Sequence, residues 1–272
     1  MIRTLWVYLN LFVATVVLAI IAMGSALLGI RGGIYDWCAR TWGRWILWAS
    51  NTPLYVHGLE NVHLDRPQIF TPNHASWYDI FALAVAIPKR YRFVAKKSLL
   101  YIPIFGLAWK IAGHVAIDRK DRAAAIRSLE LAGRRIRDER SSIIIFPEGT
   151  RSRTGELLRF KKGAFMLALH TGVDIVPVAI QGTRAIMRPG AWRIRPGPII
   201  VRFCEPVRTA GLTEADRDSI MAEVRARIEA ALAEEGPRPV RILIQRKRAH
   251  VRDRFSPSAR NPGFPWQSHR RG

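Results

Sequence analysis

The chain holds only two cysteines, Cys38 and Cys204, far apart and in no metal-ligating or redox spacing. That excludes a disulfide framework and reads as reduced thiols facing a reducing compartment. Three catalytic signatures are also missing. There is no G-x-S-x-G elbow to carry a serine nucleophile, no P-loop to cradle a nucleoside triphosphate, and no His-Glu-x-x-His pair to hold zinc. His57, His63, His250 and His269 show no ligand spacing and His170 no obvious partner, so no metal is expected. Acidic residues are scarce, 21 against 43 Lys and Arg, for a formal net charge of +22. That imbalance calls for an anionic partner, either nucleic acid or an anionic membrane surface.

Charge of either sign is absent from Thr4 to Ile30, where Asn10, Thr15 and Ser25 are mild polar breaks and Gly24 weakens a helix. As a helix the stretch reaches about 40 Å, more than the ~30 Å of a hydrocarbon core. A signal peptide competes, but its apolar region is normally shorter, and Leu27-Leu28-Gly29-Ile30-Arg31 makes a poor cleavage site. From Tyr35 to Ser50, a length too short to span, Trp37, Trp42, Trp45 and Trp48 alternate with Arg40 and Arg44. Interleaved Trp and Arg suit the headgroup level of a bilayer, and they also suit an amphipathic helix packed on the domain. Residues 1–52 therefore read as a two-helix membrane anchor, with the question open whether the first helix crosses or bends back. At the other end, residues 237–272 carry repeated Pro, ten Lys or Arg from Gly236 onward and the single acid Asp253, and read as a disordered basic tail.

Between them, residues 53–236 read as one α/β domain. Apolar runs at 68–71, 91–95, 114–117, 142–146, 175–180 and 199–203 predict strands. Helical patterns fall at about 76–86, 103–111, 122–137 (apolar at Ile126, Leu129, Gly133 and Ile136) and 160–170. Thr213-Glu214-Ala215-Asp216 resembles a capping box, opening a helix with an Ile220, Val224, Ile228, Leu232 stripe. Strands alternating with helices predict a mixed, largely parallel sheet flanked by helices.

Two segments carry chemistry. Asn73-His74-Ala75-Ser76-Trp77-Tyr78-Asp79 offers an imidazole and a carboxylate five positions apart. On one helix these would point about 140° apart, so they meet only if His74 is on the preceding loop and Asp79 in the first turn. Ser76 through Asp79 is equally a capping-box variant, and the segment alone leaves dyad and cap open. Phe146-Pro147-Glu148-Gly149-Thr150-Arg151-Ser152 follows an apolar run, placing a glycine turn and a guanidinium at a strand end, where open α/β sheets bind ligands. A base with an orienting acid beside a cationic loop is what a hydroxyl-activating transferase with a phosphorylated substrate needs; a solvated turn with surface arginines is the plainer alternative. Lys96-Lys97 and Lys161-Lys162 are paired charges that more often lie on a surface, and Asp118-Arg119 closes another strand.

Taken in order, Asn73-His74-(x4)-Asp79, Gly113 to Arg119, Phe146 to Ser152 and Ile175 to Ile180 resemble the four motifs of the 1-acylglycerol-3-phosphate acyltransferase family. Ala95-Lys96-Lys97-Ser98-Leu99 resembles its lysine segment, and the likeness covers about residues 54 to 205 plus the two-helix anchor. The basic tail has no counterpart. The resemblance implies a glycerolphosphate acyltransferase-like fold and acyl transfer from acyl-CoA or acyl carrier protein to the 2-hydroxyl of lysophosphatidic acid, with no further cofactor. It implies His74 as general base, Asp79 as its orienter, and Glu148, Gly149, Thr150, Arg151 and Lys96 at the acceptor. It further implies an anionic membrane surface as partner and a catalytic domain on the cytoplasmic face of the plasma (inner) membrane. Another lysolipid, such as a lyso-ornithine lipid or a lysophospholipid, would suit the same His-Asp chemistry. A membrane-tethered nucleic-acid-binding protein is the competitor from another class, but no nucleic-acid fold signature accompanies the charge, so no nucleic acid is expected.

Overall fold

In a computed structural model, residues 1–30, 32–118 and 121–234 are described. The basic tail expected at 237–272 and the strand-end Arg119 lie outside the described residues.

Seven strands form the sheet: β1 (Leu54–His57), β2 (Ile69–Pro72), β3 (Tyr91–Lys96), β4 (Val115–Ile117), β5 (Ser142–Ile145), β6 (Ile175–Gln181) and β7 (Ile199–Phe203). Their order is β1-β7-β6-β2-β5-β3-β4. Every neighbouring pair is parallel except β6 with β7. The central strands β2 and β5 are buried at all positions, as expected where both faces are covered. Side chains alternate between two cores. Phe70, Phe93, Ile144 and Val176 join helices α1 (Ile2–Leu27), α2 (Gly33–Ala49), α3 (Tyr78–Ala86) and α4 (Phe105–Ile111) on one face. Ile69, Val94, Ile143 and Ile175 join α5 (Arg122–Glu139), α6 (Gly163–Thr171) and α8 (Arg217–Ala233) on the other. The short α7 (Thr183–Ile186) follows β6. The expected capping box is present at Thr213 and Asp216, and Ile220, Val224 and Ile228 are buried. Ile126, expected in the α5 stripe, instead lies exposed near the start of that helix.

The topology fixes where a site can form. From β2 the chain passes through α3 to β3, two places to one side; from β5 it passes through α6 to β6, two places to the other. Because α3 and α6 cover opposite faces, the loops leaving β2 and β5 diverge and open a crevice at their carboxyl ends. The residues of both chemical segments sit on these two loops and in the first turn of α3.

Among the described residues α1 is the one helix long and apolar enough to cross a membrane, by length and composition. It keeps one stripe inward, Thr4, Val7, Asn10, Ala14, Leu18 and Ala22, at the three- and four-residue spacing of a packed helix face. Tyr8 Oη donates to the Trp192 carbonyl at 2.9 Å, and Ile194 N–H donates to Thr4 Oγ1 at 3.2 Å. The Trp-Arg helix α2 divides its rings. Trp42 and Trp45 face α1, their indole N–H groups donating to Thr15 Oγ1 (3.0 Å) and Asn10 Oδ1 (2.9 Å), whereas Trp37 and Trp48 are exposed. Arg40, expected at headgroup level, turns to the domain and donates to the carbonyls of Ile87 and Lys89 at the end of α3. An unpaired helix-end carbonyl attracts a guanidinium, a contact that no local pattern in α2 announces.

Candidate active site

His74 stands on the loop between β2 and α3, and Asp79 in the first turn of α3, the one arrangement in which the two can meet. His74 Nδ1 lies 2.7 Å from Asp79 Oδ2. The same oxygen accepts the backbone N–H groups of Ala75 and Ser76, each at 2.8 Å. With two backbone N–H groups already donating to Asp79 Oδ2, the imidazole presents Nδ1–H to the same oxygen and keeps the Nε2 lone pair for the crevice. Dyad and cap are therefore one device: the bond from Ser76 N–H to Asp79 is half of a capping box. Ser76 completes the turn differently from a full box, its Oγ accepting Tyr78 N–H at 3.2 Å and donating to the Met187 carbonyl at 2.7 Å.

His74 is held from three further sides. Its ring stacks on Phe146, centroids 3.9 Å apart. Asn73 brackets β6, its Nδ2 donating to the Ile180 carbonyl at 3.1 Å while its Oδ1 accepts Ile180 N–H at 2.7 Å. Ser152 N–H donates to the His74 carbonyl at 2.7 Å, tying the β5 loop to the β2 loop. Phe146, Asn73 and Ser152 all lay within the quoted motifs, yet residue type alone gave none of them a role.

Glu148 joins the two loops. Expected at the acceptor, it is buried, with Oε1 accepting His74 N–H at 2.6 Å and Oε2 accepting Leu158 N–H at 3.0 Å. With both oxygens on backbone donors, this carboxylate ties the β5 loop to the loop that bears His74, and the residue also lines the cleft at the ends of β3, β4 and β5. Burial pushes its carboxyl up to about 7, against the two N–H bonds that favour the anion. An acid whose pKa is raised by folding contributes stability at low pH that is lost as pH rises to the folded value. Compared with Glu148→Gln, the wild type should therefore lose about 3 kcal/mol of stability between roughly pH 4.5 and 7. Unfolding midpoints of the two proteins across that range check this; parallel pH curves would contradict it.

The remaining expected residues take their places along the same edge. Gly149 has φ +70°, a conformation that a Cβ would strain, and it turns the chain after Glu148. The Arg151 guanidinium lies 4.7 Å over the Trp77 ring, which brings the β5 loop's cation onto the loop that bears His74. Thr150 is exposed, and Lys96 is exposed at the carboxyl end of β3.

Two cavities adjoin this edge and the sheet. A cleft of about 1040 Å³ at the ends of β3, β4 and β5 is lined by Val94, Ile117, Leu129 and Phe146, with Gly149 and Lys161 also on its wall. On the opposite face an apolar groove of about 630 Å³ runs between α1, α2, α3 and α4, with Leu18, Trp42, Phe93 and Trp109 on its walls. His114 also lines this groove. Burial pushes its imidazole down to about 3, and its Nδ1 accepts Phe93 N–H at 3.1 Å, so it serves as a neutral acceptor.

Residues 53–181 match the family model described as Acyltransferase. The chain is 41% identical over 167 residues to a 1-acyl-sn-glycerol-3-phosphate acyltransferase of Cocos nucifera, covering 61% of this chain and 54% of the relative. It is 34% identical over 166 residues to one of Haemophilus influenzae, covering 61% of this chain and 68% of the relative. The chain thus spans little more than half the length of the plant protein. Among solved structures it is similar to the crystal structure of the 1-acyl-sn-glycerophosphate acyltransferase PlsC of Thermotoga maritima. The TM-score is 0.73 at 28% identity, over 87% of this chain and 97% of that one.

Proposed function

This chain belongs to the 1-acyl-sn-glycerol-3-phosphate acyltransferase family, and from that premise we propose that it moves a fatty acyl group from acyl-CoA or acyl carrier protein to the 2-hydroxyl of lysophosphatidic acid, giving phosphatidic acid. The observation that carries the reading is the His74–Asp79 pair at the crevice between β2 and β5. His74 Nε2 takes the proton of the acceptor hydroxyl as its oxygen attacks the thioester carbonyl. The new C–O bond forms, the C–S bond of the collapsing tetrahedral intermediate breaks, and the imidazolium returns the proton to the departing thiolate. Asp79 holds the tautomer and stabilises the imidazolium without taking the proton. The acceptor oxygen is itself the nucleophile, so no acyl-enzyme and no cofactor beyond the acyl donor is required.

Arg151 and Lys96 are the proposed ligands of the acceptor phosphate. A half-buried guanidinium stacked on Trp77 is held rigid, and its fork suits two phosphate oxygens. Arg151→Ala should weaken lysophosphatidate binding by about 2–5 kcal/mol. The change should fall on KM more than on kcat and vanish with an uncharged lysolipid; equal losses for both would remove Arg151 from the phosphate site.

The packed stripe of α1 follows the domain, while Leu5, Leu9, Phe12 and Ile20 on its other side stay exposed. We assign lipid contact to that outer face, with α1 lying along one leaflet and the catalytic domain on the cytoplasmic face of the plasma membrane. The acceptor assignment is tested by transfer of radiolabelled acyl groups, from acyl-CoA and from acyl carrier protein, to a panel of lysolipids. Preference for lyso-ornithine lipid or lysophosphatidylcholine over lysophosphatidate would overturn it.

A further inference from the structure

We propose that the segment running from the end of β3 through α4 is a second lipid-docking element, built into the catalytic domain and separate from α1. The proposal rests on the membrane-bound reading above.

No charged residue occurs between Lys97 and Lys110. In that interval Tyr101 is 74%, Ile102 45%, Ile104 41% and Leu107 53% exposed, and Pro103 between them is exposed too. Four large apolar side chains within seven residues form a patch, not the scattered exposure of an ordinary surface.

The patch is held rigidly. Ile104 sits at φ +66°, ψ −56°, and Phe105 N–H donates to the Pro103 carbonyl at 2.6 Å, which makes a tight turn centred on a β-branched residue. Side chains of that type almost never adopt this conformation, and it persists only where the surroundings enforce it. Here they do. Phe105 points inward against Trp42 and Trp109, ring centroids 5.9 and 5.5 Å away. Gly106 presses on the Leu100 backbone so closely that a Cβ would lie 2.1 Å from the Leu100 carbonyl oxygen. The fold thus anchors Phe105 and Gly106 while turning Tyr101, Ile102, Ile104 and Leu107 outward.

Two observations favour lipid as the occupant. First, α4 packs against α1, and Ile111 and Ala112 join Leu18 and Ala22 in one cluster, so the patch adjoins the helix whose outer face is already apolar. Second, Lys96, Lys97 and Lys110 are exposed at the two ends of the uncharged interval, with Lys97 Nζ 3.9 Å from Asp118 Oδ2. Cations flanking an apolar middle match anionic headgroups over hydrocarbon. Lys96 also belongs to the proposed phosphate site, so seating this segment would set that site at headgroup depth.

The test uses the full chain, with Cys38→Ala and Cys204→Ala, carrying Leu107→Cys or Tyr101→Cys labelled with an environment-sensitive fluorophore. It is bound to phosphatidylcholine vesicles containing phosphatidylglycerol and a quencher on the acyl chain. Quenching at both positions, at hydrocarbon depth, is expected. A label that stays in water while the protein is bound overturns the proposal. So does a label shielded only on adding acidic acyl carrier protein, which would make the patch a protein-docking surface. As a second measurement, Ile102→Ser/Leu107→Ser should raise KM for vesicle-borne lysophosphatidate by about tenfold and leave turnover of a monomeric short-chain acceptor unchanged; equal effects on both acceptors would overturn it. The depth measurement needs no activity, so a failed acyltransfer assay would not be mistaken for a failed docking surface.

Discussion

Replacing His74 with alanine is expected to lower kcat for acyl transfer by about 10²–10⁴-fold, the contribution of a positioned general base, with the fold retained. Retention follows from how the loop is held. Its ties to Glu148 and Ser152 run through the backbone N–H and carbonyl of residue 74, and those to Asp79 through the N–H groups of Ala75 and Ser76. None of these needs the imidazole. What is lost is the bond to Asp79 and the stack on Phe146, the latter about 0.5–1.5 kcal/mol. Donor and acceptor KM values should move little, since the ring contributes to the transition state more than to binding. Steady-state rates on detergent-solubilised protein, with a thermal midpoint for each variant, separate the two effects. Turnover near that of the wild type would remove His74 as the base; a collapsed midpoint would show that the ring is structural.

The parts of this arrangement differ in how visible they were beforehand. Spacing limited His74 and Asp79 to one geometry in which they could meet, because an i, i+5 pair cannot share a helix face, but it left dyad and cap open. The central strands were legible for a similar reason, since runs such as Ser142 to Ile145 have both faces covered and read as continuous apolar segments. The four-residue β1 was not identified in advance: three of its four positions are only half-buried, and its neighbour β7 is more than a hundred residues away. Nor could the antiparallel sense of β7 against β6 be read, because strand direction leaves no trace in hydropathy. Glu148 was placed at the acceptor by the resemblance alone, and its backbone partners were not foreseen. Its burial depends on two backbone N–H groups, on His74 and Leu158, that come together only once β2 and β5 are side by side. Arg40 was misplaced for the same reason, its carbonyl partners lying at the end of a different helix. In each case the local pattern fixed the residue's chemistry, while its partner was set by strand order.

Asp79→Asn and Asp79→Ala should part company, and their difference decides between the two offices of this residue. Asp79 Oδ2 receives the imidazole at 2.7 Å and two backbone N–H groups at 2.8 Å, while Oδ1 is buried with no hydrogen-bond partner among the described residues. An asparagine can keep its oxygen at the Oδ2 position, because three donors converge there, and turn its amide toward the unpartnered side. Loop course and histidine tautomer then survive, with a modest loss of stability for a buried amide without an acceptor. The negative charge does not survive. The imidazolium formed as the hydroxyl is deprotonated would face a neutral dipole, and charge-assisted bonds are roughly twice as strong as neutral ones, so kcat should fall by about 10²-fold. Alanine removes the acceptor altogether and strands the N–H groups of Ala75 and Ser76, at about 1–3 kcal/mol for each that stays buried. That variant should lose stability and activity together. Were Asp79 only a helix cap, the asparagine protein would turn over near the wild-type rate and alanine alone would be damaging. A well-folded, slow Asp79→Asn enzyme is therefore the result that identifies the carboxylate's charge, over and above its shape, as part of the chemistry.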